Sequence, residues 1–288
     1  MRFKTLTVII LVLIAASFSV ADEKWSGALD NAENAYDQKS YKTCADYYKE
    51  AIKQGADKPG IYYDAACCEA LAGNKDQAFK YLEKALEKGY TNADHLKNDK
   101  DLFSLHNEKK WLVIVSKSEK YLDKYLESVN AWVYGMFQAD QRDRFSYKEG
   151  DDWGQIAFKD SLRGERIKNI YAKGDLKVSD DFYHAAMILH HSTDSSDYRL
   201  ANQLAMKAVE LDSTSDKARW LVAATTDRYL LKIGKPQIYG TQYNYKDGHW
   251  TLEPIDIKAA TDKDREFFRV PSLSEAQRKI NEMNSTRK

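Results

Sequence analysis

The sequence predicts a mainly α-helical protein built of paired helices, with one small β-hairpin near its C-terminal end. Three observations predict it. Matched residues recur at an interval of 34 in the first third of the chain. No proline stands between Pro59 and Pro236, which leaves room for uninterrupted helices. The stretch Gln237–Tyr245 then mixes β-branched and aromatic residues with polar ones and leads to Asp247-Gly248, a hairpin-turn pair.

The chain has 288 residues, 44 Lys+Arg against 44 Asp+Glu, and three cysteines. This is a globular composition. Zero net charge argues against a general nucleic-acid binder, which needs a basic excess. The first residues form a separate class. Arg2 and Lys4 precede an apolar run from Leu6 to Ala16, and Ser19-Val20-Ala21 follows. This is the layout of a signal peptide over residues 1–21, cleaved after Ala21. The apolar run falls short of the roughly 20 residues that span a bilayer, so an uncleaved anchor is the alternative. The expected product is an exported protein, periplasmic or extracellular, with no membrane segment after cleavage.

Between Asn31 and Leu86 the offset of 34 is regular. Ala32 matches Ala66, Cys44 matches Ala78, Tyr48 matches Leu82, Ala51 matches Ala85 and Ile52 matches Leu86. Helices about 10 Å apart need small side chains where their axes approach most closely, and the alanines supply them. Gly73-Asn74 fits the turn inside the second unit. Residues 28–94 thus resemble two tetratricopeptide repeats, with Glu69 departing from the pattern where a large ring is usual. The resemblance implies protein or peptide binding along the first helices, at Leu29, Glu33, Tyr36, Tyr63, Cys67 and Ala70. It does not carry the carboxylate clamp of one repeat subtype, because Leu29, Glu33, Tyr63 and Cys67 occupy the clamp positions. The alternative is that the pair serves as a shoulder for the rest of the chain.

Short helical turns are expected at Ala93–Leu96 and Asp101–Leu105. From Trp111 a long helical pattern follows, in one piece or broken near Gly135, which could cap the repeats. The repeat module with its cap is placed at residues 22–128 and a second, helical domain at 129–288. In the latter, helices are expected at Asp160–Ala172, Asp180–His191, Asp197–Leu211 and Asp216–Ile233, then the hairpin, then a helix near Ser274–Met283.

Residues 130–280 resemble a bacterial domain family of uncharacterised function. The residues that carry this are Asp140, Gln141 and Arg144; His190 or His191 after an apolar helix; Asp227-Arg228; the run Gln237, Tyr239, Gly240, Thr241, Gln242; and the stretch Asp262 to Arg265. The resemblance implies a shared fold and brings no reaction with it. From the residues themselves, two readings stand. The groups could converge on one pocket, with His190, His191, Asp140 and Asp227 as catalytic candidates and Gln141, Arg144, Arg228, Gln237, Tyr239, Thr241 and Gln242 as ligand-binding ones. The preferred reading is structural: Asp140 and Arg144 as an ordinary i, i+4 pair, Arg228 as an anchor for the hairpin and Gly240-Thr241 as a bulge.

Phosphate-loop, paired-cysteine, His-Glu-x-x-His and Gly-x-Ser-x-Gly motifs are missing. No metal and no cofactor are therefore expected. The three cysteines are read as small buried side chains. A bridge from Cys44 to Cys67 or to Cys68 is the alternative. The leading expectation is a protein-interaction scaffold. The alternative is small polar-ligand binding or a hydrolase-like enzyme in the C-terminal domain.

Overall fold

Helix follows helix from Ser26 onward in the computed structural model, which describes residues 25–145, 152–192 and 194–285. The expected signal peptide lies outside the described residues. Contacts divide the chain into two compact units. The first runs to Lys88 and takes in Lys100–Asn107; the second comprises Gly89–Asp99 and everything from Glu108.

The first unit holds α1 (Ser26–Asp37), α2 (Tyr41–Lys53), α3 (Pro59–Leu71), α4 (Lys75–Glu87) and a 3-10 helix over Lys100–Leu105. Each of the four α-helices packs on the next, as three-residue turns within the pairs require. The interval of 34 extends to the backbone. Gly73 has φ 85°, and Lys39, 34 residues earlier, takes φ 56°. After each, the next amide closes the same turn: Ser40 N donates to the Ala35 carbonyl and Asn74 N to that of Glu69, both at 2.8 Å. The left-handed conformation costs a non-glycine residue about 1–2 kcal/mol, so the helix-pair geometry outweighs local preference at Lys39. Ala32, Ala51, Ala66, Ala78 and Ala85 are all buried at the helix contacts. Glu69 is buried too, and its carboxylate accepts from Asn74 Nδ2 at 2.8 Å. Pro59 opens α3 where its missing N–H is harmless.

The cysteines correct the sequence reading. Cys44 on α2 and Cys68 on α3 form a disulfide, with Cα atoms 5.9 Å apart. Only Cys67 stays outside the bridge, and it is buried. Helix α3 presents Cys67 and Cys68 at adjacent angles, and packing aims the second at α2.

The second unit begins with α5 (Ala93–Asn98), followed by α6 (Lys109–Ser128) and α7 (Ala131–Phe145). The helix that the sequence assigned to the repeats as a cap, α6, groups with this unit. The break falls at Val129-Asn130 and not at Gly135. Asn130 Oδ1 accepts from the amides of Trp132 and Val133, starting a new helix there. Next come α8 (Trp153–Ala172), α9 (Ser179–His190), α10 (Ser195–Leu211) and α11 (Asp216–Lys232). Helix α8 begins seven residues earlier than expected, because Asp152 accepts from the Gly154 amide. Strands β1 (Tyr243–Lys246) and β2 (His249–Leu252) pair antiparallel, with Tyr245 opposite Trp250. Asp247 and Gly248 between them both have positive φ. The chain then forms α12 (Asp262–Phe267) and α13 (Leu273–Ser285). Asn284 on α13 satisfies both backbone groups of Trp250 on β2.

The core of this unit is α9. It packs against α7, α8, α10 and α11. Phe182, Ala185, Ala186, Met187, Ile188 and Leu189 are buried, so no face of α9 is left to water. Ala201, Ala205 and Ala208 on α10 and Ala218, Ala223 and Ala224 on α11 let these neighbours come close. Among the described residues no helix is long and apolar enough to cross a membrane.

The Cys44–Cys68 bridge closes a sequence separation of 24, which stabilises by about 3 kcal/mol through the unfolded chain. Reductant, or the pair C44A/C68A, is expected to lower the denaturation midpoint accordingly. Identical midpoints with and without reductant would refute the bridge.

Candidate functional site

Three helices deliver charge to the C-terminal end of α9. Asp140, near the end of α7, is fully buried. Arg144, one turn on, donates to Asp140 Oδ1 at 2.8 Å and to Asp160 Oδ2 on α8 at 2.7 Å. Arg163 donates to Asp160 Oδ1 at 2.9 Å and also pairs with Asp143. Asp140 and Arg144 are therefore more than an i, i+4 surface pair: they belong to a network shared by two helices. Burying such charges costs several kcal/mol per ion unless each is met by hydrogen bonds, and here each is. Asp160 and Arg163 were not singled out from the sequence. Their spacing of three on α8 was the available signal.

Asp140 has two further partners. Gln141 Nε2 donates to its Oδ2 at 2.8 Å, and His191 Nδ1 lies 2.9 Å from the same oxygen. A carboxylate only accepts, so the proton sits on Nδ1 and the lone pair of neutral His191 on Nε2. His191 caps α9, and its side chain is 17% exposed. Solvent can therefore reach the ring.

His190, its neighbour, is buried, and its Nδ1 has no hydrogen-bond partner. Burial, followed by the charges of Arg228, His191 and Arg144, holds its pKa well below 6.5. Arg228 on α11 donates to the His190 carbonyl at 3.1 Å and to Gln242 Oε1 at 3.2 Å, and lies 5.9 Å from the Tyr198 ring centre. Among the described residues no carboxylate is within ion-pair distance of it. A depression of about 330 Å³ opens over Arg228, lined also by Tyr198, Leu231 and Lys232.

Asp227, one residue before, has a different task. It is fully buried. Its Oδ1 accepts from the amides of Ile238 and Tyr239, and its Oδ2 from the amide and hydroxyl of Thr241, all within 2.9 Å. Gln237 is also fully buried. Its amide group bonds to the backbone of Gln242 and Glu253. Arg265 closes the loop from outside, donating to the carbonyls of Ile238, Tyr239 and Ala260. The Tyr239 ring packs on Phe268. Of the candidates, Asp227, Gln237, Tyr239 and Thr241 thus hold a loop. This is why the expected strand from Gln237 starts only at Tyr243: amides bound to a carboxylate cannot join a ladder. Gln242 links that loop to Arg228.

The structure brings together Asp140, Gln141, Arg144 and His191 by direct contact, and His190, Arg228 and Gln242 by a second chain of contacts beside them. The predicted peptide-binding positions separate differently. Tyr63, Cys67 and Ala70 are buried. The 3-10 helix packs against α3, and Ser104 Oγ donates to the Ala70 carbonyl, so the chain itself closes that half of the expected groove. Leu29 is half-buried and Glu33 exposed; Tyr36 is exposed and donates to Asp101 at 2.7 Å.

His184 on α9 is the second buried imidazole. The rings of Tyr134, Phe137 and Tyr183 surround it. Burial, aided by Lys217 and opposed by Asp180, pushes its pKa down to about 3. His184 and His190 stay neutral in the folded chain but take a proton below about pH 6.5 when it unfolds. Their contribution to stability is full above that pH and is lost as the pH falls below it. For His184 the loss is about 2 kcal/mol by pH 5, and His190 adds to it in the same direction. Denaturant unfolding at pH 7.5 and pH 5 should show this loss, and H184L should remove one share of it. A pH-independent midpoint over this range would contradict the burial of both rings.

No curated protein matches the chain. The Asp140-Gln141 pair and Arg144 precede the residues matched by a family. Residues 145–287 match the model of a family of unknown function (DUF6624), and the chain carries a domain of that family over its C-terminal half.

Proposed function

We propose that the C-terminal domain binds a small polar ligand at the end of α9 and performs a hydrolase-like reaction there, with His191 as proton acceptor. One observation carries this reading: His191 Nδ1 is held 2.9 Å from the buried carboxylate of Asp140. Asp140 orients the imidazole and stabilises its protonated form. His191 Nε2 then takes a proton from a water or hydroxyl as it attacks the ligand. Arg144 is bonded to the same carboxylate and holds it in place beside the imidazole. Asp227 and Gln237 are positioning residues, since they fix the loop that presents Gln242 to Arg228.

Long-range imidazole NMR spectra report the tautomer directly. His191 is expected to carry its proton on Nδ1 in the wild type and to lose that preference in D140N. With a panel of chromogenic esters and amides, H191Q is expected to lower turnover by about a hundredfold, the range for removal of a general base. A wild-type His191 protonated on Nε2, or an H191Q protein as active as wild type, would overturn the assignment.

A second reading concerns the first unit. It is an exported tetratricopeptide-type module that docks a protein or peptide on the open half of its first helix. The repeated turn geometry at Lys39 and Gly73 favours it. The Cys44–Cys68 bridge favours an oxidising compartment, as export requires. Pull-down from a periplasmic fraction with wild type and with L29D/Y36A compares the two surfaces. Partner recovery should fall in the variant; unchanged recovery would remove this reading.

A further inference from the structure

Arginine residues in the second unit fall into two kinds. Arg144, Arg163 and Arg269 each reach a carboxylate within 3 Å. Arg265, almost fully buried, spends its donors on three backbone carbonyls and has Asp262 at 3.5 Å. These guanidinium groups are compensated where they stand. Arg228 is not. It is half-buried, and its named partners are the neutral Gln242, the His190 carbonyl and Tyr198. A guanidinium has five N–H donors, so these partners leave donors over.

The surroundings of Arg228 add positive charge. Lys232 follows one turn later on α11, exposed, at the rim of the same depression. The nearby Asp194 accepts at its Oδ1 from the amide and hydroxyl of Ser196 and makes no ion pair with Arg228. A partly desolvated cation without a counter-charge is costly, and a second cation beside it raises that cost. Such a site is stabilised by an anion from solution. The charge-assisted fork of an arginine fits two oxygens of one group, and a lysine beside it fits a third. The Tyr198 ring and Leu231 supply apolar walls for the remainder of a ligand.

We propose that the depression lined by Arg228, Lys232, Tyr198 and Leu231 is an oxyanion subsite, which takes the phosphate or carboxylate group of a small organic ligand. The inference rests on the reading of the α9 end as a ligand site and names the ligand class for it. Arg228 binds the oxyanion while staying bonded to Gln242 and the His190 carbonyl. Lys232 closes on it from the rim. The ligand's other end extends from there toward His191, whose neighbour His190 is tied to Arg228.

The test is titration of the full chain with inorganic phosphate and, separately, acetate at low ionic strength. Calorimetry and the amide spectra of residues 228–242 follow binding. Saturable binding of at least one of the two anions is expected, and the tighter one identifies the ligand group. R228Q should weaken it by about tenfold or more, as loss of a charge-assisted pair implies. K232Q, at an exposed position that folding does not depend on, should weaken it by a few-fold. H191Q should still bind, which separates this proposal from the proton-transfer role. An H191Q protein that binds phosphate but lacks turnover supports both assignments. Absence of saturable binding of either anion in the wild type overturns the subsite, as does equal affinity in wild type and K232Q. Hydrolysis that depends on His191 would then still stand without it.

Discussion

Helix α9 has no side turned to water, and the arrangement of the C-terminal domain follows from that. A helix with Phe182, Ala185, Ala186, Met187, Ile188 and Leu189 buried around its circumference must be enclosed by neighbours. Four helices enclose it. Their ends then bring polar residues to the place where α9 stops. His190 and His191 stand at that stop. Enclosure explains why one is sealed in and the other meets a carboxylate from α7.

Two buried aspartates show how the same group serves different ends. Asp227 is met by three backbone amides and a hydroxyl, all neutral donors. Those bonds convert a flexible segment after α11 into a fixed loop. Removing one partner of such a group costs about 1–3 kcal/mol, more when it is charged. Asp140 is met by Arg144, Gln141 and His191: a guanidinium, a neutral amide and an imidazole. It can respond to protonation of the imidazole, and Asp227 has no such partner. That difference separates a carboxylate that fastens one loop from one shared among side chains of two helix ends. In the first unit the same economy of partners appears in Glu69, buried and held by Asn74.

Much of the architecture was legible in order along the chain. The interval of 34 marked two successive helix pairs, since small side chains at close crossings leave a periodic trace. Asp247-Gly248 located the hairpin, because that turn needs positive φ at both positions. The convergence of the polar residues was less visible. His191 and Asp140 are 51 residues apart, and Arg144 reaches Asp160 across 16. No local period links them. The closing of the groove over Tyr63, Cys67 and Ala70 was hidden for a related reason. It depends on a 3-10 helix that returns to α3 from thirty residues further on, a contact that periodicity does not encode.

The sequence by itself determined the order of most helices, their small-residue stripes and the hairpin turn, because these rest on interactions between residues a few positions apart. Tertiary structure alone decided that Cys44 pairs with Cys68 and not Cys67, that Asp227 fastens a loop, and that His191 meets Asp140. Each of those outcomes depends on the angle at which one finished helix faces another. Side chains one position apart on a helix point about 100° apart, so packing selects between neighbours that composition cannot distinguish.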